Sequence, residues 1–110
     1  MTREALGEFE HLVLLACVHL GRDAYTVGIV QEIEARTGRS VQHSAAYVAL
    51  RRLEKRGLVR SELGEPTPER GGRAKRFFRV QPEAWSALVA SREALLAMWE
   101  GIDPTPGAAR

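Results

Sequence analysis

Apolar positions recur along this chain with two periods, and each predicts a different element. In residues 5–20, ALGEFEHLVLLACVHL, Leu6, Phe9, Val13, Cys17 and Leu20 fall on one face of a helix that Gly21 ends. Leu12, Leu15 and Val18 fall on the opposite side. A helix that is apolar nearly all round is buried on two sides, and so short a chain has few elements to cover the second. The pattern therefore implies a second copy of the chain. Residues 24–37, AYTVGIVQEIEART, read as a second helix, with Asp23 as N-cap, Val30 and Ile33 inward and Gly38 as terminator. Gly28 weakens such a helix by about 1 kcal/mol relative to alanine, which predicts a close helix approach at that point.

A third helix is predicted from about Ser44 to Arg56, stopped by Gly57. At about 100° per residue, Ala46, Ala49, Leu50 and Leu53 gather on one side, with Ser44, Val48, Arg51 and Lys55 opposite. The segments LVRSEL and AKRFFRV have the β-branched and aromatic content of strands, and GEPTPERGGR between them favours a hairpin tip that carries Arg70 and Arg73. PEAWSALVASREALLAMWE predicts a fourth helix opened by Pro82. Trp85, Leu88, Val89, Arg92, Leu95, Leu96 and Trp99 form its apolar stripe, leaving alanine and polar groups on the other face. The tail, residues 102–110, offers nothing to pack and is expected to be disordered.

Composition narrows the function. A chain of 110 residues, 45% hydrophobic, suits one compact unit. It contains no uncharged apolar run of about 18 residues, and its start, MTREALGEFE, places acids where a secretory signal would be apolar. A soluble protein of the cytoplasm is expected, without membrane contact. Cys17, the single cysteine, sits in the apolar run LVLLACV and reads as a small core residue. Residues 51–80 hold ten cations and four acids, so the remainder is net acidic by four in a chain of net charge +2. A basic block in an otherwise acidic protein suits a polyanionic partner.

No phosphate loop, catalytic triad pattern or paired carboxylates appear, so the chain does not read as an enzyme and no cofactor is expected. His11 and His19 point away from Cys17 on the first helix, which argues against a metal.

Three helices, a hairpin and one more helix, with cations outside the third helix and at the hairpin tip, is the order of a winged helix-turn-helix. The fold class expected is mainly α with a small β-hairpin (α+β), made of a DNA-binding winged helix over 1–81 and a C-terminal dimerisation helix over 82–101. The sequence resembles the PadR family of bacterial transcriptional regulators. LGEFEHLVLLA, AYTVGIVQEIE, SAAYVALRRLEKRGLV and GEPTPERGGRAKRFFRV carry the resemblance, over roughly residues 6–84. It departs at Thr26, where the family commonly has glycine, and at Val80-Gln81 and Ala84-Trp85, where Leu-Thr and a later glycine are usual. The Gln81 departure bears on how the last helix is capped.

The resemblance implies a homodimer held by the last helix, often with the first, that binds a palindromic operator as a repressor. It is most similar to the short members, which have one C-terminal helix. The interface expected is Leu12, Leu15, Trp85, Leu88, Val89, Arg92, Leu95, Leu96 and Trp99, with Arg92 pairing with Glu10 or Glu93 or lying at the rim. Candidates for the DNA groove are Ser44, Val48 and Arg51, with Gln42 and His43 at the N-terminal edge. Arginine bonds guanine, glutamine bonds adenine and an apolar group meets the thymine methyl. Lys55 lies on the same outer face, and Tyr47 reads either as a phosphate contact or as a half-buried packing residue. Arg70, Arg73 and Lys75 are the wing candidates for phosphate or minor groove, whereas Arg56 is expected in an ion pair. Some relatives of this architecture bind flat apolar effectors between subunits, so such a molecule is a candidate partner here, with Trp85 and Trp99 alternatively plain interface core. Two further alternatives stay open: a winged-helix module that binds protein, and a small-molecule-binding protein without DNA function.

Overall fold

The computed structural model describes residues 5–66 and 74–105. In chain order they form α1 (Glu8–Leu20), a 3-10 turn (Gly21–Asp23), α2 (Thr26–Thr37), α3 (His43–Lys55), β1 (Val59–Pro66), β2 (Ala74–Val80) and α4 (Pro82–Trp99). This is the α+β winged helix-turn-helix with one further helix that the sequence led us to expect. The expected wing tip, with Arg70 and Arg73, and residues 106–110 of the tail lie outside the described residues.

The N-terminus of α1 is closed by Glu10, whose Oε1 accepts the N–H of Gly7 at 3.1 Å. That bond satisfies one of the amides that the first turn leaves unpaired. At its other end the chain does not pass directly into α2. Asp23, expected as the cap of α2, is taken up in the 3-10 turn, and Tyr25 occupies the cap position without a side-chain cap. The backbone around it pairs with the wing instead: Ala24 O accepts the N–H of Phe78 at 2.8 Å, and Tyr25 bridges Phe77. A Cβ at Gly28 would lie 3.3 Å from the Tyr25 ring and 3.5 Å from Asp23 O. The close approach expected there is to this turn and to the end of α1, where Leu20 Cδ1 would lie 3.6 Å from that Cβ.

α3 buries Ala46, Ala49, Leu50 and Leu53, the four residues its periodicity selects. They meet Val13, Leu14 and Cys17 of α1, Ile29, Val30 and Ile33 of α2, and Phe78 of β2 in one core. Each large side chain so buried contributes about 1.5–3 kcal/mol. Burial also pushes the Cys17 thiol up to about 12, which keeps it protonated. α3 stops in a Schellman turn, with the N–H of Leu58 bonded to Leu53 O at 3.0 Å and Gly57 at φ 77°.

β1 and β2 pair antiparallel from Val59↔Val80 to Pro66↔Ala74, with a shift in register between Leu63 and Pro66. Gly64, Glu65 and Pro66, expected in the hairpin tip, thus belong to β1. Gly64 is fitted to a close approach, because a Cβ there would meet the Phe77 ring at 2.6 Å. The N–H of Gln81 closes the hairpin base on Leu58 O at 2.9 Å.

α4 packs inward through a narrow strip near its start. Ala84, Ala87 and Leu88 are buried, and Ser91 lies against His11 of α1. The sequence pattern assigned packing to the other stripe, but a helix that must lie close to α1 does so on alanine and serine, which let the two backbones approach. Gln81 stands at the cap position of α4 without capping it, and its Nε2 donates to Arg79 O at 3.1 Å. Among the described residues no helix is long and apolar enough to cross a membrane.

Candidate nucleic-acid interface

The outward face of α3 is set by the burial of its inner one. With Ala46, Ala49, Leu50 and Leu53 inward, Ser44, Val48, Arg51 and Lys55 are all exposed along the opposite side. Gln42 and His43 are exposed at the helix start. Val48, 48% exposed, is an apolar side chain left uncovered among polar ones. Tyr47 is the half-buried packing residue considered for it, its ring meeting Phe78 edge-on at 6.5 Å between centroids, and it remains 42% exposed.

Arg51 is not a loose surface cation. Its Nη1 lies 3.1 Å from Glu54 Oε1, one turn on, while its side chain stays half exposed. The other oxygen of Glu54 accepts the Ser61 hydroxyl at 2.6 Å and the Ser61 N–H at 3.3 Å. Ser61 Oγ accepts in turn from Arg76 Nη1 at 3.0 Å. The hydroxyl of Ser61, with the nearby Arg51 and Arg76 charges adding to it, holds the Glu54 carboxyl below its ordinary value of 4.5. Sequence reading passed over Glu54, although one acid set three residues after Arg51 in a run of cations is itself a signal.

The wing is anchored by cations as well as by its ladder. Lys75, a candidate phosphate contact, packs its Nζ over the Tyr25 ring at 4.2 Å from the centroid. Arg79 donates to Glu62 at 2.8 Å and to Arg22 O at 2.9 Å, tying β2 to the 3-10 turn. Arg56 forms the ion pair expected of it, 3.5 Å from Glu10. Arg39 meets Glu8 at 2.7 Å, and Arg36 pairs with Glu32. Part of the basic block therefore holds the fold together, and α3 keeps the cations directed outward.

The residues expected in a dimer interface separate into three groups. Leu88, 4% exposed, lies in the chain's own core and is unavailable to a partner, because it shares the inward face of α4 with Ala84 and Ala87. Trp85, Val89, Leu96 and Trp99 are about half exposed, and Arg92 on the same face lies 3.8 Å from Glu93. Leu12, Leu15 and Leu95, with Leu6, Ala87, Ala90 and Ala94, line a groove of about 730 Å³ between α1 and α4. His11 Nδ1 and Ser91 Oγ, hydrogen-bonded at 2.9 Å, lie in this groove. Burial alone holds the His11 imidazole below its ordinary value of 6.5.

A three-helix core, an outward helix of cations and a hairpin wing define a winged-helix DNA-binding regulator. The model of the PadR-like family of transcriptional regulators matches residues 14–83, and the chain belongs to that family, whose members bind DNA and are not enzymes. Solved structures agree in fold. A transcriptional regulator from Clostridium thermocellum is 23% identical over 82% of this chain and 84% of its own, with a TM-score of 0.70. A PadR family transcriptional regulator from Eggerthella lenta is 26% identical over 86% of this chain and 82% of its own, with a TM-score of 0.66. A PadR-like transcription factor from Bacteroides fragilis is 21% identical, covering 82% of each chain, with a TM-score of 0.68. No curated protein sequence matches the chain.

Proposed function

We propose that this transcriptional regulator acts in the cytoplasm as a homodimeric repressor that reads a palindromic operator. Residues 1–81 form the DNA-reading unit and residues 82–101 join the two copies. The carrying observation is that two faces of one small fold are left uncovered and differ in chemistry. The outer face of α3 offers Ser44, Val48, Arg51 and Lys55, and α4 offers Trp85, Val89, Leu96 and Trp99. The first suits a major groove about 12 Å wide. The second suits its own copy, since four large apolar side chains on one helix call for cover from water.

Two α3 helices would then enter successive major grooves about 34 Å apart, with Gln42 and His43 at the base edges and Tyr47 and Lys75 toward the backbone. Repression follows the family resemblance, with the bound dimer occluding the promoter. Release by a small apolar effector is supported by the groove between α1 and α4, whose volume of about 730 Å³ falls in the range of ligand pockets, roughly 300–1,000 Å³. An effector seated there would shift α4 against α1 and change the spacing of the two α3 helices.

The test is selection of bound sequences from a random double-stranded DNA pool at near-physiological salt. Enrichment of a palindrome is expected. A folded, dimeric protein that enriches no sequence would turn the reading toward a protein-binding module.

A further inference from the structure

Glu54 stands where the reading helix meets the wing. Its Oε1 faces Arg51 on the outer side of α3, and its Oε2 takes both the hydroxyl and the N–H of Ser61 on β1. Through Ser61 Oγ the chain of contacts reaches Arg76 on β2. One carboxylate therefore hydrogen-bonds β1 through Oε2 and stands in an ion pair with Arg51 of its own helix through Oε1, and a neighbouring strand joins through the shared Ser61 hydroxyl. Glu54 is the only acid in the run from Tyr47 to Arg60, where a negative charge works against approach to DNA. A residue whose charge opposes binding, yet whose one oxygen is hydrogen-bonded to the wing while the other, without a hydrogen-bond partner among the described residues, lies in ion-pair contact with Arg51, has a geometric role.

We propose that Glu54 is a positioning residue for DNA reading, which holds the Arg51 guanidinium outward on α3 and, through Ser61, locks that face to the wing. The proposal rests on the DNA-reading function given above. Arg51 carries five N–H donors, and the Glu54 contact is made through Nη1. Among the described residues no acceptor takes its remaining donors, which suit the paired acceptors of a guanine edge. A long side chain held in one geometry before binding loses less freedom on binding than a free one. Because Ser61 occupies the second oxygen, Glu54 cannot swing with Arg51, and the guanidinium is referred to the wing as well as to its own helix.

The experiment compares the full-length protein and its variants on two duplexes: one bearing the sequence that the wild type enriches, the other of random sequence and equal length. Glu54→Gln removes a negative charge beside the DNA, which by itself strengthens binding to any duplex. A fall confined to the enriched sequence cannot come from that charge. The expected result is a loss of about tenfold in discrimination between the duplexes, the scale of one charge-assisted contact. That loss should shrink to near nothing when Arg51→Ala is already present, since both changes remove one coupled unit. Ser61→Ala keeps the carboxylate and removes only one arm; a loss of roughly threefold is expected, with Ser61→Thr retaining the wild-type value. The serine pair also carries the test should Glu54→Gln fail to fold. Equal weakening on both duplexes, independent losses for Glu54→Gln and Arg51→Ala, or tighter reading by Glu54→Gln would each overturn the positioning role. A wild type that enriches no sequence would instead overturn the DNA-reading function, and this role with it.

Discussion

α3 and α4 each carry an apolar face and resolve it in opposite ways. In α3 Ala46, Ala49, Leu50 and Leu53 face the chain's own core, and what remains outside is polar apart from Ala45, Val48 and the edge of Tyr47. In α4 only Ala84, Ala87 and Leu88 find cover, while Trp85, Val89, Leu95, Leu96, Met98 and Trp99 stay exposed. The difference lies in what each helix packs against. α3 lies among α1, α2 and the wing, whereas α4 touches the body mainly through α1. A helix enclosed by its own chain can present a charged face outward at little cost, because its stability is already supplied. A helix packed along one narrow side keeps a large apolar face that its own chain leaves uncovered.

The comparison breaks most visibly in the core of α3. Leu50→Ala is expected to lower the free energy of unfolding by about 2–5 kcal/mol, since Leu50 is fully buried. Urea unfolding should show that loss at every protein concentration; a loss below about 1 kcal/mol would mean that the α3 core is looser than its burial indicates.

The double variant Trp85→Ala, Trp99→Ala should behave differently. Its monomer should keep the wild-type circular dichroism, while self-association measured by sedimentation weakens by at least about 2 kcal/mol, as for large aromatic anchors. The wild-type unfolding midpoint should also rise with protein concentration, and the variant should lose most of that dependence. Unchanged sedimentation would show that the α4 face meets something other than its own copy.

The smallest effect concerns the part of α4 that its own chain does cover. His11 sits against Ser91 with its imidazole held below 6.5 by burial, so the unfolded chain binds more protons just under that pH. The neutral ring therefore contributes stability that is complete above pH 6.5 and declines as pH falls toward the folded value. The neighbouring acid in the groove, Glu8, is engaged by Arg39. Unfolding measured on both sides of pH 6.5 should show this decline, and His11→Gln should flatten it. An equal slope in the two proteins would remove His11 from the contact between α1 and α4.

Much of this was legible in the residues. Gly21, Gly38 and Gly57 stand where α1, α2 and α3 end, and the inner residues of α3 follow from spacing alone. Of the second face read on α1, Leu15 is exposed, whereas Leu12 and Val18 pack in part against the chain's own core. What was misread involves choices between neighbours. Leu88 and Val89 are adjacent and both apolar, yet one is buried and the other is not, because α1 approaches α4 on the side of Ala84 and Ala87. Asp23 has a capping side chain, but the wing takes up the backbone beside it through Ala24 and Phe78, so the chain turns before α2 begins. Gly64 to Pro66 looked like a tip and are strand, since β2 supplies partners as far as Pro66.

The sequence by itself determined which residues need cover, where the helices stop and that the cations cluster in residues 51–80, because periodicity, glycine conformation and charge order are local properties. Only the tertiary structure decided which side of α4 its own chain covers, which arginines hold the fold and which face outward, and that Glu54 joins α3 to the wing. Those depend on contacts such as Glu54 to Ser61 and His11 to Ser91, whose partners are set by how the elements pack and leave no mark in spacing.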